Sequence, residues 1–303
     1  AIQFSMERLG DHKMPAGLHA DWNDCLRLGK KGESTFVAMQ LYYAFTVMKG
    51  FAKDANDTEY IAYLEKTQKE LGDIIEKECW EDDRYVRGIK EDGQVIGSKH
   101  DPEASMWLNP QSWSVISGLA SKEQAEKALE SVHRELNTKF GVRLMTPSYV
   151  DHAFDGAQAL LFNPSTKENG GIFSQPQGWI ILAESLMGHG NRAFEYFTES
   201  SPASQNEDVR RLEPYVHGQF TESVESPFEG RSHVHWLTGT ASTCMVGCVE
   251  GICGMRPDLN GLWVCPAIPS EWKEITMDKV FRGKKLHITV KNPDGKEGGF
   301  KEF

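Results

Sequence analysis

Residues 33–52, ESTFVAMQLYYAFTVMKGFA, and residues 58–78, TEYIAYLEKTQKELGDIIEKE, decide the fold class of this chain. In the first, Phe36, Met39, Leu41, Tyr43, Phe45, Met48 and Phe51 recur at helical spacing. The second is charged on one face, as a solvated helix should be. A short polar link joins them, so the pair reads as a helical hairpin. Residues 121–137 form a third helix, with Ser121 as N-cap and Gln124 three positions on, the spacing of a capping box. Further helices are expected over 176–187, 191–198 and 238–253. Long connections rich in Gly, Pro and aromatics lie between them, at 84–101, 145–171 and 200–235; loops of that length in a compact domain usually carry a site.

The pattern changes after Pro257-Asp258-Leu259-Asn260-Gly261. β-rich runs follow at 262–265, 275–281 and 285–290, the last two joined through Arg282-Gly283-Lys284 as a hairpin. Residues 1–257 therefore read as a helical domain, and 258–303 as the opening strands of an incomplete β-domain. The chain starts inside an amphipathic helix without an initiator Met, so an N-terminal portion is expected to be missing.

A length of 303 residues allows a well-buried core. The formal net charge of -11 argues against nucleic acid or an anionic membrane as the main partner, because both are polyanions. An anionic substrate would need a local electropositive niche. Cys25, Cys79, Cys244, Cys248, Cys253 and Cys265 are too scattered for a disulfide scaffold, which favours reduced thiols and a cytoplasmic setting. No apolar run reaches the ~18–20 residues needed to span a bilayer.

The strongest local signal is Gly17-Leu18-His19-Ala20-Asp21-Trp22-Asn23-Asp24-Cys25. An indole face stacks on pyranose C–H groups, while carboxylates and an amide bond hydroxyls or donate a proton. Asp21 or Asp24 could equally cap a turn or helix. Thr238-Gly239-Thr240 opens a long apolar helix; its unpaired amides suit an anion, although a plain Thr cap with a Gly for close packing explains the same letters. Lys167-Glu168-Asn169-Gly170-Gly171 and Glu213-Pro214-Tyr215-Val216-His217-Gly218-Gln219 mix hydrogen-bonding groups with turn formers, and either reads as a solvated loop or as a ligand contact. His233-Val234-His235 lacks the partners of a metal set, and Cys244, Cys248 and Cys253 read as small buried residues. No nucleophile elbow, P-loop or dinucleotide fingerprint occurs.

Taken in order, 20-ADWNDCL-26, 32-GES-34, 167-KENGG-171, 213-EPY-215 and 237-LTGTA-241 resemble one family. The chain is similar over nearly its whole length to the inverting disaccharide phosphorylases of glycoside hydrolase family 94, with the cellobiose-cleaving members nearest. That resemblance implies the later part of an (α/α)6 barrel followed by the start of a C-terminal jelly-roll or β-sandwich domain. It implies reversible phosphorolysis of cellobiose to α-glucose 1-phosphate and glucose, without metal or organic cofactor, in a homodimer. Asp24 would be the general acid, with Trp22 and Gln219 holding the transferred glucose. Lys167 and Glu168 would hold the sugar that leaves, Glu213 would contact substrate, and Gln175, Thr238 and Gly239 would bind phosphate. Gln175 stands where the family pattern has His, so phosphate would meet a neutral amide. Because phosphate is already an anionic nucleophile, the base carboxylate of an inverting hydrolase becomes dispensable. A related glycosidase using water, another β-glucoside as substrate (cellodextrin, laminaribiose or chitobiose), and a sugar-binding fragment without turnover are the competing readings.

Overall fold

The computed structural model describes residues 1–18, 21–205, 213, 215–236 and 238–299, with Thr238 and Thr240 described by backbone alone. Two compact units emerge, Ala1–Phe173 with Phe220–Arg231, and Ser174–Gln219 with Ser232–Phe303. They interleave along the chain, a division by packing that differs from the sequence-based boundary at 257/258.

In the first unit a short helix α1, Ile2–Met6, precedes α2, Thr35–Asp54, and α3, Thr58–Cys79. Ser34 Oγ accepts from Val37 N to start α2, and Asp57 Oδ1 accepts from Tyr60 N to start α3, so local side chains fix both ends of the link. The helices run antiparallel. Gln68 on α3 donates to Tyr42 O and Thr46 Oγ1 on α2, which satisfies a buried amide across the seam. Phe36, Met39, Phe45, Leu64 and Ile75 are at most 1% exposed, and burying each contributes ~1.5–3 kcal/mol. Tyr43 and Phe51, part of the apolar recurrence, lie instead on the outer side of α2.

The sequence gives no periodic signal for α4, Leu108–Ile116, because its buried positions include Asn109, Gln111, Ser112 and Ser114. Gln111 replaces apolar packing with three hydrogen bonds, from Tyr85 N and to the carbonyls of Tyr85 and Trp107. Helix α5, Lys122–Leu136, carries the expected capping box of Ser121 and Gln124.

The connections at 84–101 and 145–171 are less irregular than their composition suggests. Gly88–Ile89 pairs antiparallel with Glu33–Ser34 on one side and Val95–Ile96 on the other. Met106–Trp107 pairs with Met145–Thr146, and Ile172–Phe173 with Phe220–Thr221. These two-residue ladders enclose a second core of Leu26, Leu28, Trp107, Leu144, Tyr149, Phe154, Phe173 and Phe220, against which Trp22 and Cys25 pack.

The second unit is built on α6, Ser174–Met187, α7, Gly190–Ser200, and α8, Thr238–Val246, which runs on as a π-helical stretch at Gly247–Ile252. The π stretch is a departure from the single helix expected over 238–253. Helices α6 and α8 run parallel: Cys244 Sγ donates to Ser174 O, Gly247 meets Ile181, and Gly251 meets Ser185. Their approach depends on Gly178, where a Cβ would stand 2.1 Å from Thr243 O. The expected hairpin forms from Glu274–Phe281 and Lys284–Lys291, with Phe281 paired to Lys284 across Arg282 and Gly283. Both turn residues have positive φ, 48° and 78°, the geometry of a two-residue hairpin turn. Among the described residues no helix is long and apolar enough to cross a membrane.

Candidate active site

The acid motif forms a turn, and its own polar groups shape it. Asp21 Oδ1 accepts from Asn23 N at 2.9 Å, and Asn23 Oδ1 accepts from Cys25 N at 3.0 Å, two successive Asx turns. Downstream the chain is stitched to 156–158, with Arg27 N donating to Gly156 O and Gln158 N to Cys25 O. Asn23 is buried, while Asp24, next to it, is exposed. Of the two carboxylates that could cap a turn, Asp21 does so. Trp22 is half-buried and meets Phe173 edge to face, centroids 5.5 Å apart.

Lys167 and Glu168 sit beside this turn. The Glu168 carboxylate bonds the Cys25 thiol, and burial, reinforced by the charges of Glu168 and Asp24, pushes that thiol up to about 11. Burial also raises Glu168 above the ordinary carboxylate range, with the Asp24 charge adding to the shift. One oxygen of Glu168, Oε2, is buried without a hydrogen-bond partner, so the site holds an acceptor ready for a hydroxyl. Lys167 takes a left-handed backbone conformation, φ 46°, and its Nζ stands 5.1 Å from the Phe162 ring centroid.

The loop that carries these two residues is fixed from beneath. Asn169, fully buried, accepts from Tyr149 N and donates to the carbonyls of Tyr149 and Phe162. Arg143, also buried, reaches Ser148, Ser165 and Glu225. Burial works to raise the Glu225 carboxyl, but hydrogen bonds from Ser148 and Ser165 with the Arg143 charge hold it below its ordinary range. Sequence reading missed Arg143 and Glu225, which lie 82 positions apart. It also missed Arg87, whose guanidinium pairs with Asp21.

In the second unit Gln175 lies in the first turn of α6, and Gln219 is tied to the same turn by Ser174 N donating to Gln219 O. Ser174 Oγ adds a bond to Gly218 O. Thr238 is the first residue of α8 rather than the residue before it, a displacement of one position from the expected N-cap. A Cβ at Gly239 would meet nothing within 4 Å, so close packing does not account for that glycine. Since α6 and α8 are parallel, Gln175 and Gly239 both lie toward the N-terminal ends of the pair, with α8 starting about two turns before the level of Ser174. Glu213 is half-buried with Oε2 unpartnered. Tyr215 is exposed and faces Trp236 at 6.2 Å. The intervening Pro214 lies outside the described residues, as do His19 and Ala20 of the acid motif and Leu237.

The chain is 33% identical over 303 residues to an N,N'-diacetylchitobiose phosphorylase of Vibrio furnissii, covering 99% of this chain and 38% of that protein. It is 28% identical over 309 residues to a solabiose phosphorylase of Paenibacillus borealis, covering 100% and 40%. The chain thus spans about two fifths of the length of these relatives. Among solved structures, one described as a sialidase superposes with a TM-score of 0.68 over 98% of this chain and 28% of its own, at 13% identity, a likeness of fold alone. The description "Glycosyl hydrolase 94 superfamily, catalytic domain" matches residues 1–254, and the chain belongs to that family.

Proposed function

We propose that this chain carries proton donor and phosphate contacts of an enzyme that splits a β-linked disaccharide with inorganic phosphate, reversibly and with inversion. The observation that carries the reading is the exposed Asp24 carboxyl on a turn anchored at both ends, with Trp22 and Glu168 beside it. In this reading Asp24 protonates the glycosidic oxygen, which makes the leaving sugar a neutral alcohol. Phosphate, already an anion, attacks the anomeric carbon from the opposite face, so the proton work needs one carboxylate. Trp22 and Gln219 hold the transferred sugar, Lys167 and Glu168 hold the departing one, and Glu213 contacts substrate. The orphaned Oε2 atoms of Glu168 and Glu213 are suited to hydroxyl donors. Gln175, Thr238 and Gly239 take the phosphate, for which the open backbone at Gly239 leaves room.

Cellobiose is the substrate that the sequence resemblance implies, and N,N'-diacetylchitobiose enters as the sugar in the name of the Vibrio relative. The six cysteines are free thiols, which supports a cytoplasmic setting. A homodimer and a domain boundary at 257/258 complete the proposal. The test is a panel of cellobiose, cellodextrins, laminaribiose and N,N'-diacetylchitobiose with the complete gene product. Expected is an α-sugar 1-phosphate from one of them, strictly dependent on phosphate. Release of free sugar at the same rate without phosphate would sink the proposal in favour of hydrolysis.

A further inference from the structure

The turn that presents Asp24 is tied to a buried arginine through Asp21. That turn lies on the surface, yet its first carboxylate is buried: the Asp21 side chain is 1% exposed and the Arg87 side chain 0%. The same Oδ1 that accepts from Arg87 Nη2 accepts from Asn23 N, one residue before the acid. The other oxygen of Asp21 is buried with no hydrogen-bond partner, so Arg87 is its counter-charge among the described residues. A buried carboxylate left without its partner is strongly disfavoured, so the turn has a reason to stay where Arg87 can reach it.

Arg87 is itself immobilised. Its Nη1 donates to Ser34 Oγ at 2.9 Å, and that hydroxyl also accepts from Val37 N at the start of α2. Its backbone bonds Ile96 O through N and Thr35 N through O. The guanidinium lies 5.8 and 5.5 Å from the ring centroids of Phe36 and Trp107. A planar fork is needed to reach Ser34 and Asp21 together, which a lysine ammonium on a flexible stem does not reproduce.

We propose that Arg87 is a positioning residue for proton donation, acting through Asp21 to hold the Asp24 carboxyl against the bond that breaks. This rests on Asp24 being the proton donor. A displacement of about 1 Å at a reacting group costs up to ~100-fold in rate, with little change in sugar affinity. The effect should vanish when the departing group needs no proton.

The experiment compares Arg87→Lys and Asp21→Asn with the parent in the complete gene product. Two substrates are used, the cleaved disaccharide and the 2,4-dinitrophenyl β-glycoside of the same transferred sugar. Expected is a fall of about 10- to 100-fold in kcat on the disaccharide, with KM and dinitrophenyl turnover within about twofold of the parent. Amide hydrogen exchange of the 21–26 segment should rise in both variants, with exchange in α6 and α8 unchanged. Equal losses on both substrates, no loss on either, or unchanged exchange at 21–26 would overturn the tether. If the parent shows no phosphate-dependent cleavage, the functional reading falls, whereas the exchange data still decide whether Arg87 fixes the turn.

Discussion

The turn that presents Asp24 and the start of α8 at Gly239 are both small, exposed features, but they are built on opposite plans. The first is braced by a buried ion pair, two Asx turns and backbone bonds to 156–158. The second leaves its backbone uncovered, with nothing within 4 Å of a Cβ on Gly239. In the proposed reading Asp24 donates a proton, which requires one oxygen placed to within a fraction of an ångström, and a buried brace suits that role. In the same reading phosphate is held at the start of α8 by amides that a helix leaves unpaired in any case, for which the main requirement is open access.

The sharpest way to break this contrast is Asp24→Asn. Turnover is expected to fall at least about 100-fold while sugar binding survives in calorimetric titration; comparable activity would remove Asp24 from the chemistry. Next is Asn169→Ala, which strips three hydrogen bonds from the braced side and leaves buried backbone groups of Tyr149 and Phe162 unsatisfied. A loss of ~2–4 kcal/mol in urea unfolding is expected, and a loss below ~1 kcal/mol would mean that the loop does not depend on it. On the open side, Gly239→Ala should not lower the melting temperature, because the added Cβ meets nothing within 4 Å, and should raise KM for phosphate about tenfold by crowding the anion. An unchanged KM would move phosphate elsewhere.

The smallest effect is Glu168→Gln. Burial holds this carboxyl above its ordinary range, so its ionisation costs the folded state stability as pH rises from the ordinary Glu range through the raised value. The glutamine variant should therefore melt slightly higher than the parent at pH 7, with the gain gone in acid, and bind sugar more weakly. A lower melting temperature at pH 7 would show that the carboxylate is stabilising rather than held at a cost.

Local rules carried most of the helical framework. Ser34, Asp57 and the Ser121–Gln124 box name their helix starts because cap and helix are adjacent in sequence, and Arg282-Gly283 names its turn through positive φ. Helix α4 escaped because Gln111 buries an amide that periodicity counts as solvent-facing. The site divided in the same way. Trp22, Asp24, Lys167 and Glu168 gained sugar roles only through the family resemblance, since each stretch also reads as a turn or loop; the structure places Lys167 and Glu168 near Asp24 and Cys25. Arg87 and Asp21 are 66 positions apart, so nothing in the order of residues marks the pair. The extent of the π-helical stretch was equally invisible, since its residues Gly247–Ile252 have the composition of an ordinary buried helix.

The glycine-mediated, same-direction apposition of α6 and α8 has an electrical cost. Side-by-side helices that point the same way carry two partial positive poles, each about half a unit charge, toward the same side of the pair, where they repel. If phosphate binds on that side as proposed, it would act as a counterion to the poles. The nucleophile would then be a structural ligand as well, drawing the helix pair tighter each time it is loaded.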